Sequence, residues 1–200
     1  CNHFWDGWAT DISLEVTWSD LVFPTVTPDY RTEFFVSGNV FDSPEGVTSL
    51  YIHDVMRIQT LNDDFAMMFN VKNNIFNTSE SGTAIISSNN IFTNIWNNKF
   101  NGTGITGVSV DGDATTGIYA ENVDLIGNNF FMADYTQADV YLGPYTQNCK
   151  VVGVAPDNVI DEGQNNKVIG VKAHKHGPHY KSRPDQFQGM RENMMKMRSL

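Results

Sequence analysis

Cysteines, positive charges and long apolar runs are all scarce in the first 170 residues of this chain. Only Cys1 and Cys149 occur in 200 residues, which leaves the redox compartment open. Residues 1–170 hold six Lys and Arg against 21 Asp and Glu, which argues against binding to nucleic acid or anionic lipid. No run is long and apolar enough to span a membrane, and no Pro, Gly or Ser-rich linker divides this region. We therefore expect one acidic domain without a membrane span and without a nucleic-acid partner.

One short phrase recurs through the chain, with the pattern apolar, any, Asn or Gly, Asn, any, Phe. Its clearest copies lie at residues 69–76, 93–100 and 123–130, and looser copies lie at 36–41 and 155–160. The asparagines that anchor the phrase are Asn2, Asn39, Asn74, Asn98, Asn128 and Asn158. Their spacings of 37, 35, 24, 30 and 30 residues suit a coil of fixed cross-section with loops of varying length. The pattern predicts an all-β solenoid, namely a parallel β-helix.

Stacking of successive coils explains the residue types in the phrase. Coils stack at the inter-strand spacing of about 4.8 Å, so equivalent side chains lie directly above one another. An asparagine at each turn can bond to its equivalents, and it tolerates the left-handed backbone of a sharp turn. We expect Asn74, Asn98 and Asn128 to be equivalent, with their phenylalanines stacked inside. Cys1 and Cys149 would lie several coils apart, so no disulfide is expected.

Short strand phrases such as Gly82–Ile86 and Gly117–Ala120 separate the Asn-Asn-x-Phe copies. In both features the chain resembles the right-handed parallel β-helix proteins of the pectin-lyase-like superfamily, and we assign residues 1–172 to such a domain. The superfamily includes pectate lyases and polygalacturonases, whose sites lie on the outer face of one sheet. The resemblance implies acidic residues that bind calcium or act as acid and base.

The last part of the chain differs in composition. Residues 171–200 hold seven Lys and Arg against two Asp and Glu, so the tail carries about +5 and the body about −15. We expect residues 173–200 to form a basic, Met-rich tail with a short amphipathic helix from about 184 to 199. Its apolar stripe consists of Phe187, Met190, Met194 and Met197. This helix is expected to cover the last coil or to mediate self-association.

Paired carboxylates supply the candidate catalytic residues. Asn62-Asp-Asp64 resembles the paired aspartates of polygalacturonases, so Asp63 and Asp64 are assigned as acid and base. Neither a Gly-His-Gly in the following coils nor a later Arg-x-Lys accompanies them.

Other residues could bind a substrate or a cation. Asp111 and Asp113 flank a flexible glycine, as ligands do in calcium loops, which makes calcium the cofactor to consider. Trp96, Asp124 and Asp139 are the candidate substrate-binding residues, with Trp96 as an outward-facing platform for a sugar ring.

Two function classes fit these observations. The first is a non-catalytic extracellular or cell-surface module, a rigid scaffold for assembly, adhesion or glycan binding. The second is a lyase or hydrolase that acts on an acidic glycan. Two matches to the glycosylation acceptor pattern, at Asn77 and Asn101, are compatible with an extracellular protein. We favour the first class, because the catalytic set that the resemblance implies is incomplete.

Overall fold

The structure is a computed structural model that describes residues 3–5, 10–15, 33–43, 48–53, 68–79 and 82–170. These residues form an all-β protein with one short 3-10 helix, Pro156–Asn158. The strands are β1 His3–Trp5, β2 Thr10–Glu15, β3 Glu33–Ser37, β4 Val40–Ser43, β5 Thr48–His53, β6 Met68–Lys72, β7 Ile75–Thr78, β8 Thr83–Ser88, β9 Asn94–Trp96, β10 Lys99–Asp111, β11 Ala120–Glu121, β12 Asp124–Ile126, β13 Asn129–Leu142, β14 Thr146–Gln147, β15 Lys150–Val152, β16 Val159–Asp161 and β17 Lys167–Ile169.

These strands form three parallel sheets. A six-stranded sheet has the order β17-β15-β12-β9-β6-β3, and a two-stranded sheet pairs β11 with β14. The remaining nine strands form one large sheet. Along the chain, strands of the different sheets follow one another in a repeating order. Each strand pairs with the strand that the chain contributed to the same ladder one coil earlier. Neighbours in a sheet therefore come from successive coils, which confirms the predicted parallel all-β stack and fits a parallel β-helix.

The nine-stranded sheet is continuous because two of its strands are long. The first half of β10 pairs with β7 and the second half pairs with β8, so β10 joins two ladders that are separate in earlier coils. β13 follows β10 along its whole length, with irregularities in register after Lys99 and Gly104. Beyond β13 the sheet narrows, because β16 pairs only with Val140–Leu142.

A ladder of asparagine side chains connects successive coils. The Asn98 amide nitrogen donates to Asn128 Oδ1 (3.1 Å) and to the Val71 carbonyl (2.9 Å). Asn98 Oδ1 accepts hydrogen bonds from the backbone and side-chain nitrogens of Asn74, both at 3.0 Å. Asn39 donates in the same way to Asn74. The predicted equivalence of Asn74, Asn98 and Asn128 is therefore confirmed.

Asn158 does not belong to this ladder, so its predicted equivalence is wrong. Val152 pairs with Ile126, which places Val154 at the position that Asn128 occupies one coil earlier. Val154 is buried, and its side chain can neither donate nor accept a hydrogen bond. Asn158 instead lies in the 3-10 helix, where its side chain bonds to Asp139 at 2.8 Å.

The left-handed residue of each turn is the one before the ladder asparagine, and not the ladder asparagine as predicted. Asn73 has φ 57° and Asn97 has φ 54°, and the equivalent residues of the other coils are glycines with positive φ. Glycine and asparagine adopt this region at least cost. The two adjacent asparagines of the phrase therefore have different tasks: the first makes the bend and the second bonds the coils together.

A stack of phenylalanine rings runs through the core beside the ladder. Ring centroids are 4.7 Å apart between Phe41 and Phe76, 5.2 Å between Phe76 and Phe100, and 4.4 Å between Phe100 and Phe130. The first three rings are fully buried, and Phe130 is partly exposed. A second pair, Phe34 and Phe69, stacks at 5.3 Å. The predicted stack of Phe76, Phe100 and Phe130 is confirmed.

Several predictions fall outside the described residues. These include Asp63, Asp64, the tail of residues 173–200 and its helix. In the part of the chain that is described, no helix has the length and apolar character needed to cross a membrane. Cys149 is a free, buried thiol.

Candidate functional site

The outer face of the six-stranded sheet carries two of the predicted binding residues. Strand alternation points Ile95, Leu125 and Val151 into the core, so the residues on either side of them face outward. Two outward rows cross neighbouring strands in register. The polar row is Asn70, Asn94, Asp124, Lys150 and Lys167, of which Asn70 is buried; the second row is Lys72, Trp96, Ile126, Val152 and Ile169.

Trp96 lies in the middle of this face. Its side chain is half-buried, and the Lys72 ammonium lies 4.4 Å from its ring centroid, a cation–π contact. Asn94, two residues before Trp96 on the same face, donates to Asn70 Oδ1 at 2.9 Å. Asp124 pairs with Asn94 across the strands. The structure thus brings Trp96 and Asp124 to adjacent strands of one surface, as a shared binding role requires.

Asp139 lies elsewhere, in the second half of β13, and does not join that surface. Its side chain is only 9% exposed, and one carboxylate oxygen accepts a hydrogen bond from the Asn158 amide at 2.8 Å. Burial raises the pKa of the Asp139 carboxyl, the bond from Asn158 lowers it in part, and the charge of Asp134 raises it further. The result is a carboxyl group that holds its proton more strongly than an ordinary aspartate.

Tyr135 is partly buried and packs against the core near Asp139, a position that sequence reasoning did not identify. Thr78 donates a hydrogen bond to the Tyr135 hydroxyl at 3.3 Å, and the ring meets Phe130 edge-on at 6.3 Å. Burial raises the pKa of Tyr135 to about 12. A Cβ at Gly104 would lie 3.2 Å from this ring, and one at Gly107 only 2.8 Å away. Gly104 and Gly107, two of the three glycines of β10, therefore leave the space that Tyr135 occupies; the clustering of glycines in one strand was the available signal.

The predicted calcium ligands accept hydrogen bonds from backbone N–H groups, one of them from the next coil. Asp111 Oδ1 accepts hydrogen bonds from the backbone nitrogens of Gly112 (2.8 Å) and Tyr145 (3.0 Å). Asp113 Oδ1 accepts one from Thr115 at 2.7 Å, which lowers the pKa of Asp113. Within the described ranges, no group of three or more His, Cys, Asp or Glu side chains could hold a metal ion. Calcium binding at this loop stays a prediction.

The two glycosylation-pattern asparagines form a ladder of their own. Asn101 Nδ2 donates to Asn77 Oδ1 at 2.8 Å, and Asn77 Nδ2 donates to Asp42. A glycan is attached at this same nitrogen. Modification of either side chain would leave one N–H on a nitrogen that already bonds to the neighbouring coil.

The chain matches no protein-family model, no curated protein and no solved structure.

Proposed function

We propose that this chain is a right-handed parallel β-helix of the pectin-lyase-like kind, acting as a non-catalytic extracellular or cell-surface scaffold. The observation that supports this most strongly is the asparagine ladder. Buried amides from four coils hydrogen-bond to one another and to backbone carbonyls, so they join coils rather than hold a ligand. Such cross-links favour a stiff rod. The surface available to a partner is then its outer face.

The outer face around Trp96 is the surface that we assign to glycan binding. It offers an aromatic ring together with the amide of Asn94 and the carboxylate of Asp124. An aromatic body can pack against the apolar face of a sugar, while amide and carboxylate groups bond to its hydroxyls. The ammonium of Lys72 could pair with the carboxylate of an acidic sugar. We therefore favour a polysaccharide as the partner.

Affinity electrophoresis through gels that contain neutral or acidic polysaccharides tests this assignment. We expect at least one polymer to retard the protein and Trp96→Ala to reduce that retardation. Lys72→Gln should weaken retardation by acidic polymers selectively. The matched control is Tyr141→Ala, because Tyr141 is also a partly exposed aromatic residue but lies on β13, in a different sheet. Equal retardation of wild type and Trp96→Ala would exclude this face, and parallel gels with calcium would test the loop of Asp111 and Asp113.

An enzyme that cleaves an acidic glycan is the second candidate, and one observation favours it. Asp139 is a buried carboxyl with a raised pKa, and Asp134 is close enough to influence it electrostatically. Glycosidases use a carboxyl group with a raised pKa as general acid, together with a second carboxylate. Release of reducing ends or of unsaturated products by wild type, and its loss in Asp139→Asn, would support this alternative. Loss in Asp63→Asn or Asp64→Asn, but not in Asp139→Asn, would move the site to the sequence-predicted pair.

A further inference from the structure

The first half of β13 is an open strand edge in the described structure. β10 pairs with β13 from Asn129 to Leu142, but on its other side β13 pairs only with β16, at Val140–Leu142. The next coil contributes no strand opposite residues 129–137, because between β15 and β16 it passes through the short 3-10 helix. The Phe131 N–H donates a hydrogen bond to Asn129 Oδ1 at 2.9 Å, which satisfies one backbone group of this segment. An open edge of this kind readily pairs with other chains unless something covers it.

The same edge carries two of the three most exposed large apolar side chains of the described residues, the third being Phe35 on β3. Phe131 is 77% exposed and Met132 is 62% exposed, and they are adjacent in sequence. Beside them lies Phe130, the last ring of the stack. The Tyr135 ring meets Phe130 edge-on and does not continue the stack. Neighbouring exposed apolar residues beside unpaired backbone mark a contact surface.

The chain leaves the described structure beside the 3-10 helix that bonds to β13. A Cβ at Gly170 would lie 2.3 Å from Pro156 Cδ, so the last described residue lies directly against the 3-10 helix. That helix in turn bonds to β13 through Asn158 and Asp139. The 13 residues from 171 to 183 can span up to about 43 Å when extended, so the segment that follows them has a long reach from this point.

Charge and composition both favour the tail as the occupant. The tail carries about +5, and the acidic residues Asp134, Asp157, Asp161 and Glu162 are all exposed at this end of the stack. The stripe predicted from sequence, which includes Met190 and Met194, could match the irregular surface of Phe131 and Met132. We infer that residues 184–199 of the same chain pack against the open edge of β13 and cover these two side chains. This inference does not depend on the proposed glycan binding.

Disulfide trapping in the full-length Cys1→Ser protein tests the inference. We expect Phe131→Cys combined with Met190→Cys to form an intramolecular disulfide under mild oxidation. The matched control combines Phe35→Cys with Met190→Cys, because Phe35 is also an exposed phenylalanine (66%) but lies on β3. That pair should not cross-link. A cross-link that appears only as a dimer would overturn the inference in favour of a second copy, and equal cross-linking of both pairs would also overturn it.

Hydrogen exchange gives a second test that needs no cross-link. In full-length Met190→Ser/Met194→Ser, the amides of residues 131–137 should exchange about tenfold or more faster than in wild type. Amides of residues 99–102, which lie between β7 and β13, serve as the internal control and should not change. Unaltered exchange across residues 131–137 would show that the tail does not cover this edge.

Discussion

Replacing Phe100 with alanine would open a gap in the middle of the ring stack. Phe100 is fully buried, with ring centroids 5.2 Å from Phe76 and 4.4 Å from Phe130. Truncation of a buried phenylalanine costs about 3–5 kcal/mol, and each aromatic pair contributes about 0.5–1.5 kcal/mol beyond its buried area. Because two stacked pairs are lost, we expect the decrease in the free energy of unfolding to lie in the upper part of the first range, at about 4–5 kcal/mol.

Urea unfolding, followed by circular dichroism, measures this change. Phe130→Ala is the matched control, because Phe130 is partly exposed and stacks on Phe100 alone. Its cost should be clearly smaller. A cost below about 1.5 kcal/mol for Phe100→Ala would refute the reasoning, since this is less than the lower limit for a buried aromatic truncation.

Double-mutant cycles test whether the energy belongs to neighbouring rings. Phe76 and Phe100 are direct neighbours and should show a coupling energy of about 0.5–1.5 kcal/mol. Phe41 and Phe100 are separated by the Phe76 ring, so their changes should add to within about 0.5 kcal/mol. Equal coupling in both pairs would contradict a stack of local contacts.

Three further predictions concern single side chains. Phe92 has φ 58° at the turn position that Asn122 occupies in the next coil. Phe92→Asn should therefore raise the free energy of unfolding by about 1 kcal/mol, and Asn122→Phe should lower it. Urea unfolding midpoints measure both changes. Burial raises the pKa of the Cys149 thiol to about 11, so little of it is thiolate at about pH 8. In the Cys1→Ser variant, Cys149 should therefore react with a thiol reagent roughly 100-fold more slowly in the folded protein than in denaturant. The pKa of Asp139 is raised in the folded state, so between the ordinary aspartate pKa and this raised value folding binds a proton, and stability falls as the pH rises. Asp139→Asn should lose this pH dependence and should be more stable than wild type above the raised pKa. An unchanged pH profile of unfolding in Asp139→Asn would contradict this.

The repeated phrase was enough to predict the stack, because the same residues that define it also make the contacts. Asn74 and Asn98 bond directly to each other, and the phenylalanines that follow them two residues later stack. The phrase failed at Asn158, where Pro156 opens a 3-10 turn and the actual ladder position is held by Val154. A valine there carries no polar signal, so no local pattern could mark the end of the ladder.

The candidate site was less accessible to sequence reasoning. Alternation within a strand correctly places Trp96 outward, since Ile95 beside it is core. The burial of Asp139 depends instead on Asn158, 19 residues away, and on a coil that shortens at the same place. Local patterns record which way a side chain points, but they do not record how much of the next coil lies over it.

The glycine space around Tyr135 solves a problem that uniform ladders create. Identical asparagines and phenylalanines would stack almost equally well if a whole coil were skipped during folding, because each coil offers the next one the same partners. Tyr135 packs over Gly104 and Gly107 of β10, where added Cβ atoms would lie 3.2 and 2.8 Å from its ring. A misordered stack would press this ring against side chains instead of empty space. One bulky residue facing two glycines thus favours the observed order of the coils, while the repeated residues hold them together.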